Sequence, residues 1–419
     1  MDLIFLSFAF LLLVFNVWTL YNVPVVVVGA VHLLRSGRKK DETLPFLEED
    51  LPSVSIIVPA KNEERVVGRL LKALVNLDYP SSKKEIIVVN DESDDRTGEI
   101  CDQFASRYPE IRVFNRSMST TKAAALNFGV RHAQGEIIVT FDADSVPEPD
   151  ALLRAVQYFE DPAVAAVQGR ICCINDGENM LTKFLFYEGA VQYEAYARGK
   201  DRLNLFVGLA GSCQFVRRDV LEEIGGWNGK SLSEDVELSL RLTEKDHVIR
   251  YASDVRTWEE SPNSVIGLIR QRARWYRGNI EMGPKFGRLL KKLNRRGFDA
   301  EMTLFGTYLI VLCVVSYFMA AWSFLLPSDF VLTLIMRCTS LLTVFILAFA
   351  GLALVFVTKP FRLSSLLWLP FIYAYWGFQS FIALYAVFQI VLRRPARWSK
   401  TTRSGMVTSQ CAKEILAKR

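Results

Sequence analysis

No glycine-rich phosphate loop occurs in the 419 residues of this chain, and histidine is scarce, at three (32, 132 and 247). The first absence excludes seating a diphosphate on the amides of such a loop, so that group would need a metal ion and basic side chains. The seven cysteines (101, 172, 173, 213, 313, 338 and 411) show neither metal-ligand nor disulfide-framework spacing. That fits a reducing compartment. Internal repeats and low-complexity tracts are also absent. Neither sign of charge dominates: 50 Lys and Arg against 45 Asp and Glu give +5. The basic excess sits beside apolar segments, which predicts membrane-surface contact and no nucleic-acid binding.

What the chain has is hydrophobicity, 51% of its residues, concentrated at its two ends. Leu3–Leu34 is almost wholly apolar and long enough for one tilted span. Asp2, the length of the run and the lack of a small-residue cleavage site argue against a cleaved signal peptide. Arg35, Arg38, Lys39 and Lys40 follow, which predicts an outside amino terminus and a cytoplasmic domain next. Toward the other end, Met302–Leu326 and Phe330–Val357 read as spans, the second carrying Arg337, expected to snorkel. Ser365–Leu392 has basic flanks on both sides, so an interfacial or re-entrant segment broken near Pro370 or Gly377 is expected.

Between the ends, strand and helix alternate from Ser53. Strands are predicted at Val54–Val58, Glu85–Val89, Ile111–Phe114, Glu136–Phe141 and Val164–Arg170. Helices are predicted at Glu64–Asn76, Thr97–Arg107, Lys122–Ala133, Leu152–Phe159 and Leu181–Arg198. This alternation implies an α/β domain on a mostly parallel, doubly wound sheet. The expected boundaries are 1–40 for the first membrane helix and its basic flank, and 41–262 for the globular domain. Amphipathic interface helices follow at 263–300, a membrane region at 301–392 and a basic tail at 393–419.

The central stretch is Gly135–Ser145. Its apolar run ends at Asp142-Ala143-Asp144, so two carboxylates leave the carboxyl edge of the sheet, where open α/β sheets bind ligands. Two apart in extended chain, they share a face and suit a hard divalent cation; an ordinary turn is the alternative. Pro59–Glu63 and Asn90–Asp95 end the first two strands on the same edge, and Asp91 there could accept hydrogen bonds from a base or ribose. For Ser93 and Asp95 helix capping is the simpler role. Lys122 opens a helix, as a phosphate cation or merely as a solvated lysine. The small-residue turn Gly208–Cys213 would let a ligand approach the backbone. Ser233-Glu234-Asp235-Val236-Glu237 opens another helix, with Ser233 as cap and Asp235 either a first-turn acid or a general base.

The ordered set PAKNE, NDESDD, DADS, SEDVE and Gln271-Arg272-Ala273-Arg274-Trp275 resembles the membrane-bound members of glycosyltransferase family 2. That group includes hyaluronan, chitin, cellulose and poly-N-acetylglucosamine synthases. The likeness covers roughly Val54–Asn279 and implies a GT-A fold using a UDP-sugar with Mg²⁺ or Mn²⁺. It further implies donor contacts from Pro59, Glu63, Asp91, Lys122, Asp142 and Arg274, a metal on Asp144 and a catalytic base at Asp235. Acceptor contacts fall to Ser212, Cys213, Gln271 and Trp275. Trp398–Arg403 resembles the gating loop of related synthases, which adds Arg403 to the donor side. Asn90 stands where an acid is common, and Thr121 where glycine is common. The expected activity is inverting transfer at the cytoplasmic face of the plasma membrane by a multi-pass, processive enzyme, onto a growing β-linked polysaccharide or, alternatively, one sugar onto a lipid.

Overall fold

The computed structural model describes residues 2–36, 48–117, 120–287, 290, 294–323 and 363–395. It adds eight positions between 334 and 351, and Arg403 and Gly405. The chain forms two compact units. One holds 39–189, 206–268 and 398–419; the other holds 1–38, 190–205 and 269–397.

Among the described residues the first unit is built on eight strands: β1 (Val54–Ala60), β2 (Lys84–Asp91), β3 (Ile111–Arg116), β4 (Ile137–Thr140), β5 (Val146–Pro147), β6 (Val164–Cys173), β7 (Gln214–Arg217) and β8 (Val248–Glu259). Their order in one sheet is β3-β2-β1-β4-β7-β6-β8-β5. The parallel half, β3-β2-β1-β4, matches the alternation of strand and helix in the sequence. Beyond β4 the sheet is mixed. β7 runs antiparallel to β4 and to β6, β8 is parallel to β6, and β5 is antiparallel to β8.

Alternation along β1 explains why both sheet faces are covered. Ile56 and Val58 join Leu70, Leu71 and Leu74 of the helix Val67–Val75 in one core. On the opposite face Ile57 and Val89 meet Gly129 of the helix Lys122–Val130, where a Cβ would crowd the Ile57 side chain. Each fully buried Leu or Ile contributes about 1.5–3 kcal/mol of transfer free energy. Two sided burial of this kind is what the near-continuous Val/Ile runs require.

The second unit is helical. Among the described residues three helices are long and apolar enough to cross a membrane: Leu6–Arg35, Arg295–Phe318 and Leu366–Val391, with mean hydropathy 2.0, 1.7 and 1.3. On the helix Asp2–Ser36, Leu3, Leu6, Phe10, Leu13, Val17, Leu20, Val27, Val31 and Leu34 are exposed, an apolar stripe at helical spacing that suits lipid. Its other face is buried, and there Gly29 lies against the Ala195 carbonyl while Gly199 lies against the Val25 carbonyl. Any larger residue at either glycine would separate the two backbones.

In 365–392 a 3-10 turn, Leu363–Trp368, gives way to an α-helix beside Pro370. The helix Leu369–Val391 is continuous through Gly377, and Pro370 stands in its first turn, where its missing N–H is harmless. The predicted span at 330–357 lies mostly outside the described residues. Within 263–300 lie the helix Val265–Phe286 and the start of the helix Arg295–Ser323.

A buried ionic cluster ties this unit together. The Lys200 ammonium donates to Asp299 Oδ2 at 2.8 Å and to Thr303 Oγ1 at 2.6 Å, and the Tyr21 hydroxyl donates to Asp299 Oδ1 at 2.9 Å. Asp299 is fully buried and Lys200 nearly so. Removing one partner of such a pair leaves an uncompensated charge, at a cost of about 3–5 kcal/mol. Lys200→Ala should therefore destabilise the protein by that order, and the double variant Lys200→Ala/Asp299→Ala should recover part of the loss. Thermal unfolding in detergent checks this, and equal losses in both variants would contradict it.

Candidate active site

Residues at the carboxyl ends of β4 and β8 form an acidic cluster. One carboxylate oxygen each from Asp142, Asp144 and Glu259 lie within 4.8 Å of one another. Asp142 and Asp144 follow β4; Glu259 ends β8, which runs in the same direction because it pairs in parallel with β6. The sequence reading found the first two and missed Glu259. In the sequence, Trp258-Glu259-Glu260-Ser261-Pro262 places two acids before a proline, a signal of a strand end that gives neither its direction nor its neighbours.

Basic groups answer the cluster one by one. The helix Lys122–Val130 is capped by Thr121, whose Oγ1 accepts from the Ala124 amide at 3.2 Å. The cap explains why a threonine serves at this position. It sets Lys122 at the first helical position, where its ammonium meets Asp142 Oδ1 at 2.5 Å and the Gly211 carbonyl at 3.0 Å. Burial works against that charge, but Asp142, Glu234 and Asp235 more than offset it and hold Lys122 protonated. Arg69 donates to the backbone carbonyl of Asp144 at 2.7 Å and to Glu260 Oε1 at 3.3 Å. Arg403 Nε lies 3.0 Å from Asp144 Oδ2, and Arg403 Nη1 donates to the Glu260 carbonyl.

Burial pushes the Asp144 carboxyl up, with Asp142 adding to the shift and Arg403 opposing it. Glu259 is pushed up as well, by burial first and then by Asp144 and Asp142. Both carboxylates therefore gain from a nearby cation.

Asp235 stands in the first turn of the helix Glu234–Glu244. Its Oδ1 accepts from the Val236 amide at 2.8 Å, while Oδ2 points toward Gly211. A Cβ at Gly211 would lie 3.2 Å from both Asp235 Oδ2 and Lys122 Nζ. With φ +79, Gly211 also occupies a backbone region that favours glycine. Ser233 does not cap this helix through its side chain.

Other predicted residues have different surroundings. Asp91, at the end of β2, is nearly buried and paired with Arg116 Nη1 at 2.7 Å. The Glu63 amide donates to Thr97 Oγ1 at 2.7 Å and the Asn62 amide to Ser93 Oγ at 3.0 Å, so the loop after β1, which starts beyond Pro59, is fastened to the loop after β2. Asp95 accepts from the Thr97 amide at 3.0 Å, as expected for a helix start.

The expected acceptor contact at Cys213 is corrected. Its side chain is completely buried in the core, φ is 49, and burial pushes the thiol well up. Ser212 is also buried; its hydroxyl accepts from the Asp142 amide at 3.1 Å and lies 3.0 Å from Ser145 Oγ. Ser145 in turn donates to Glu259 Oε1 at 2.6 Å. This turn holds the acidic residues in place. Gln271, Arg274 and Trp275 lie on the helix Val265–Phe286, in the part assigned to the helical unit, where Arg272 stacks 4.5 Å over the Trp275 ring. Of the gating-like stretch only Arg403 is described; Trp398–Thr402 lies outside the described residues.

Comparison with known proteins agrees with this arrangement. The chain is 36% identical over 273 residues to "Probable glycosyltransferase YdaM" of Bacillus subtilis, covering 64% of this chain and 65% of that protein. It is 34% identical over 249 residues to "Beta-monoglucosyldiacylglycerol synthase" of Synechocystis sp., covering 58% of this chain and 52% of the relative. The chain thus spans between about half and two thirds of the length of these relatives. Its fold is shared with a mannosyltransferase of Pyrobaculum calidifontis solved in complex with GDP-Man and Mn²⁺, at a TM-score of 0.60 and 21% identity. That likeness covers 93% of this chain and 99% of the other and supports a GT-A-like mixed sheet. The sequence profile described as "Glycosyltransferase like family 2" matches residues 52–278. The chain belongs to that family.

Proposed function

We propose that this enzyme transfers one sugar from a nucleoside diphosphate sugar, a UDP-sugar by family resemblance, to a lipid acceptor, with inversion at the anomeric carbon. The observation that carries the reading is the convergence of Asp142, Asp144, Glu259, Lys122 and Asp235 at one edge of the sheet. The lipid acceptor is favoured by the 34% identity to a glucosyldiacylglycerol synthase and by three apolar helices long enough to cross a membrane.

The donor set is all oxygen and all carboxylate, which suits a hard divalent cation such as Mg²⁺ or Mn²⁺. Asp142, Asp144 and Glu259 would hold it. When bound, it would supply charge neutralisation for the departing diphosphate. Lys122, kept protonated among acids, adds a fixed positive charge beside Asp142. Asp235 takes the proton from the acceptor hydroxyl as that oxygen bonds to C1 and the C1–O bond to the diphosphate breaks. An α-linked donor then gives a β-linked product. Asp91, held by Arg116, lines the base side of the same edge.

Extension of a β-linked polysaccharide is the second reading. It is favoured by Arg403, the last residue of a stretch whose sequence resembles the gating loop of polymerising synthases; its Nε lies 3.0 Å from Asp144 Oδ2.

Three measurements test these assignments. Asp144→Asn, or EDTA on the unmodified protein, should abolish transfer; full activity in either case would sink the cation mechanism. Asp235→Asn should lower kcat by about 10²-fold or more while donor affinity stays within about twofold. A variant that loses donor affinity and keeps its maximal rate would make Asp235 a binding residue. Radiolabelled UDP-sugars offered to protein in lipid, with sizing of the products, should yield one sugar per lipid. A ladder or high polymer would favour the second reading.

A further inference from the structure

The position of Arg403 has a cost for any cation. Its Nε is 3.0 Å from Asp144 Oδ2, the same oxygen that accepts from the Glu260 amide at 3.3 Å. The guanidinium is largely buried, with 14% of the side chain exposed, against 4% for Asp144. Glu260 fastens the segment twice more: its carbonyl accepts from Arg403 Nη1, and its Oε2 accepts from the Gly405 amide at 3.3 Å. Glu260 is itself held by Arg69 at 3.3 Å. Glu260 is thus the catch on which Arg403 and Gly405 hang.

We infer that Arg403 serves as an internal counter-ion for Asp144 in the metal-free protein, so that docking of this arginine and binding of a divalent cation exclude one another. The inference rests on the cation site proposed above and adds a competitor to it. The cluster holds three carboxyl groups, and Lys122 pairs with the one on Asp142. Arg403 supplies the second positive charge to Asp144. A divalent ion ligated by Asp144 would bring two positive charges against a guanidinium already in contact with the same carboxylate. Like charges held on one carboxylate inside protein repel strongly. The cation therefore displaces Arg403 from Asp144, and by linkage a docked Arg403 weakens the cation. Released, the arginine is a free cation at the edge where a diphosphate would depart.

Binding of Mn²⁺ alone, without nucleotide, tests this on the full chain in detergent, read by the electron paramagnetic resonance signal of free Mn²⁺. Arg403→Gln should tighten Mn²⁺ binding by at least about fivefold, within the usual span of coupling between linked sites. Truncation after Arg394 should move affinity the same way and guards against a misfolded point variant. Glu260→Gln, which loosens the catch, should give a smaller shift of the same sign. Adding Asp144→Asn should remove binding in each background. Equal affinity in all proteins that keep Asp144, or weaker binding without Arg403, overturns the inference while leaving the cation site standing. Failure of every protein to bind Mn²⁺ overturns both.

Discussion

Charge balance at one sheet edge governs the first unit. Three carboxylates within 4.8 Å repel one another by roughly 3–4 kcal/mol per pair at an effective dielectric constant of 20. The surrounding elements act as suppliers of positive charge. Arg69 comes from the helix after β1, Lys122 opens the helix after β3, and Arg403 comes from the C-terminal segment. Hydrogen bonds of Ser212 with Ser145 and with the Asp142 amide, and of Ser145 to Glu259, then fix the acids in register. A site assembled this way stores unfavourable proximity that a bound cation relieves, which is how binding free energy becomes available for holding a charged donor.

The helical unit obeys a different constraint. Its first helix is apolar on every side, yet the two sides do different things. The heptad-spaced stripe from Leu3 to Leu34 is exposed, while Gly29 lets the other face reach the backbone of residues 190–205. Asn16 and Asn22 are buried on that helix, and Trp18 Nε1 donates to the Met302 carbonyl at 3.0 Å. Polar groups in a largely apolar unit have to be satisfied by neighbouring helices. The amino-terminal helix is therefore an integral wall of this unit, joined to it by the Tyr21–Asp299–Lys200 cluster.

How much of this could be read from the sequence depends on what kind of signal each feature leaves. The parallel half of the sheet was legible because buried Val/Ile runs alternate with amphipathic helices. Asp142, Asp144, Lys122 and Asp235 were legible because each sits where a strand ends or a helix begins. Glu259 was not, because periodicity gives a strand's existence and not its direction or neighbours. Cys213 was misjudged for a related reason. Small residues promise an open turn, but φ values of 79 at Gly211 and 49 at Cys213 curl the chain so that the thiol enters the core. The segment 365–392 was expected to be interfacial or re-entrant because both its flanks are basic, with Pro370 or Gly377 marking the break. Pro370 falls in the first turn, where it is harmless, and Gly377 faces Tyr317 at ordinary contact distance.

The mixed half of the sheet is what completes the site. In a wholly parallel sheet, every strand would deliver its following loop to the carboxyl edge and its preceding loop to the opposite one. β7 runs against β4, with Gln214 paired to Thr140, so its start lies beside the end of β4. The turn that precedes β7 is thereby brought to the acids, placing the Gly211 carbonyl on Lys122 and the Ser212 hydroxyl on the Asp142 amide. β6 then reverses again, and β8 follows it in parallel, so that Glu259 ends at the same edge. A single antiparallel strand thus lets two strand ends and one strand start converge on a few ångströms. The lysine, the two aspartates and the glutamate, 137 residues apart along the chain from Lys122 to Glu259, follow or end strands that run in one direction, and the reversal adds the Gly211–Ser212 turn that holds them.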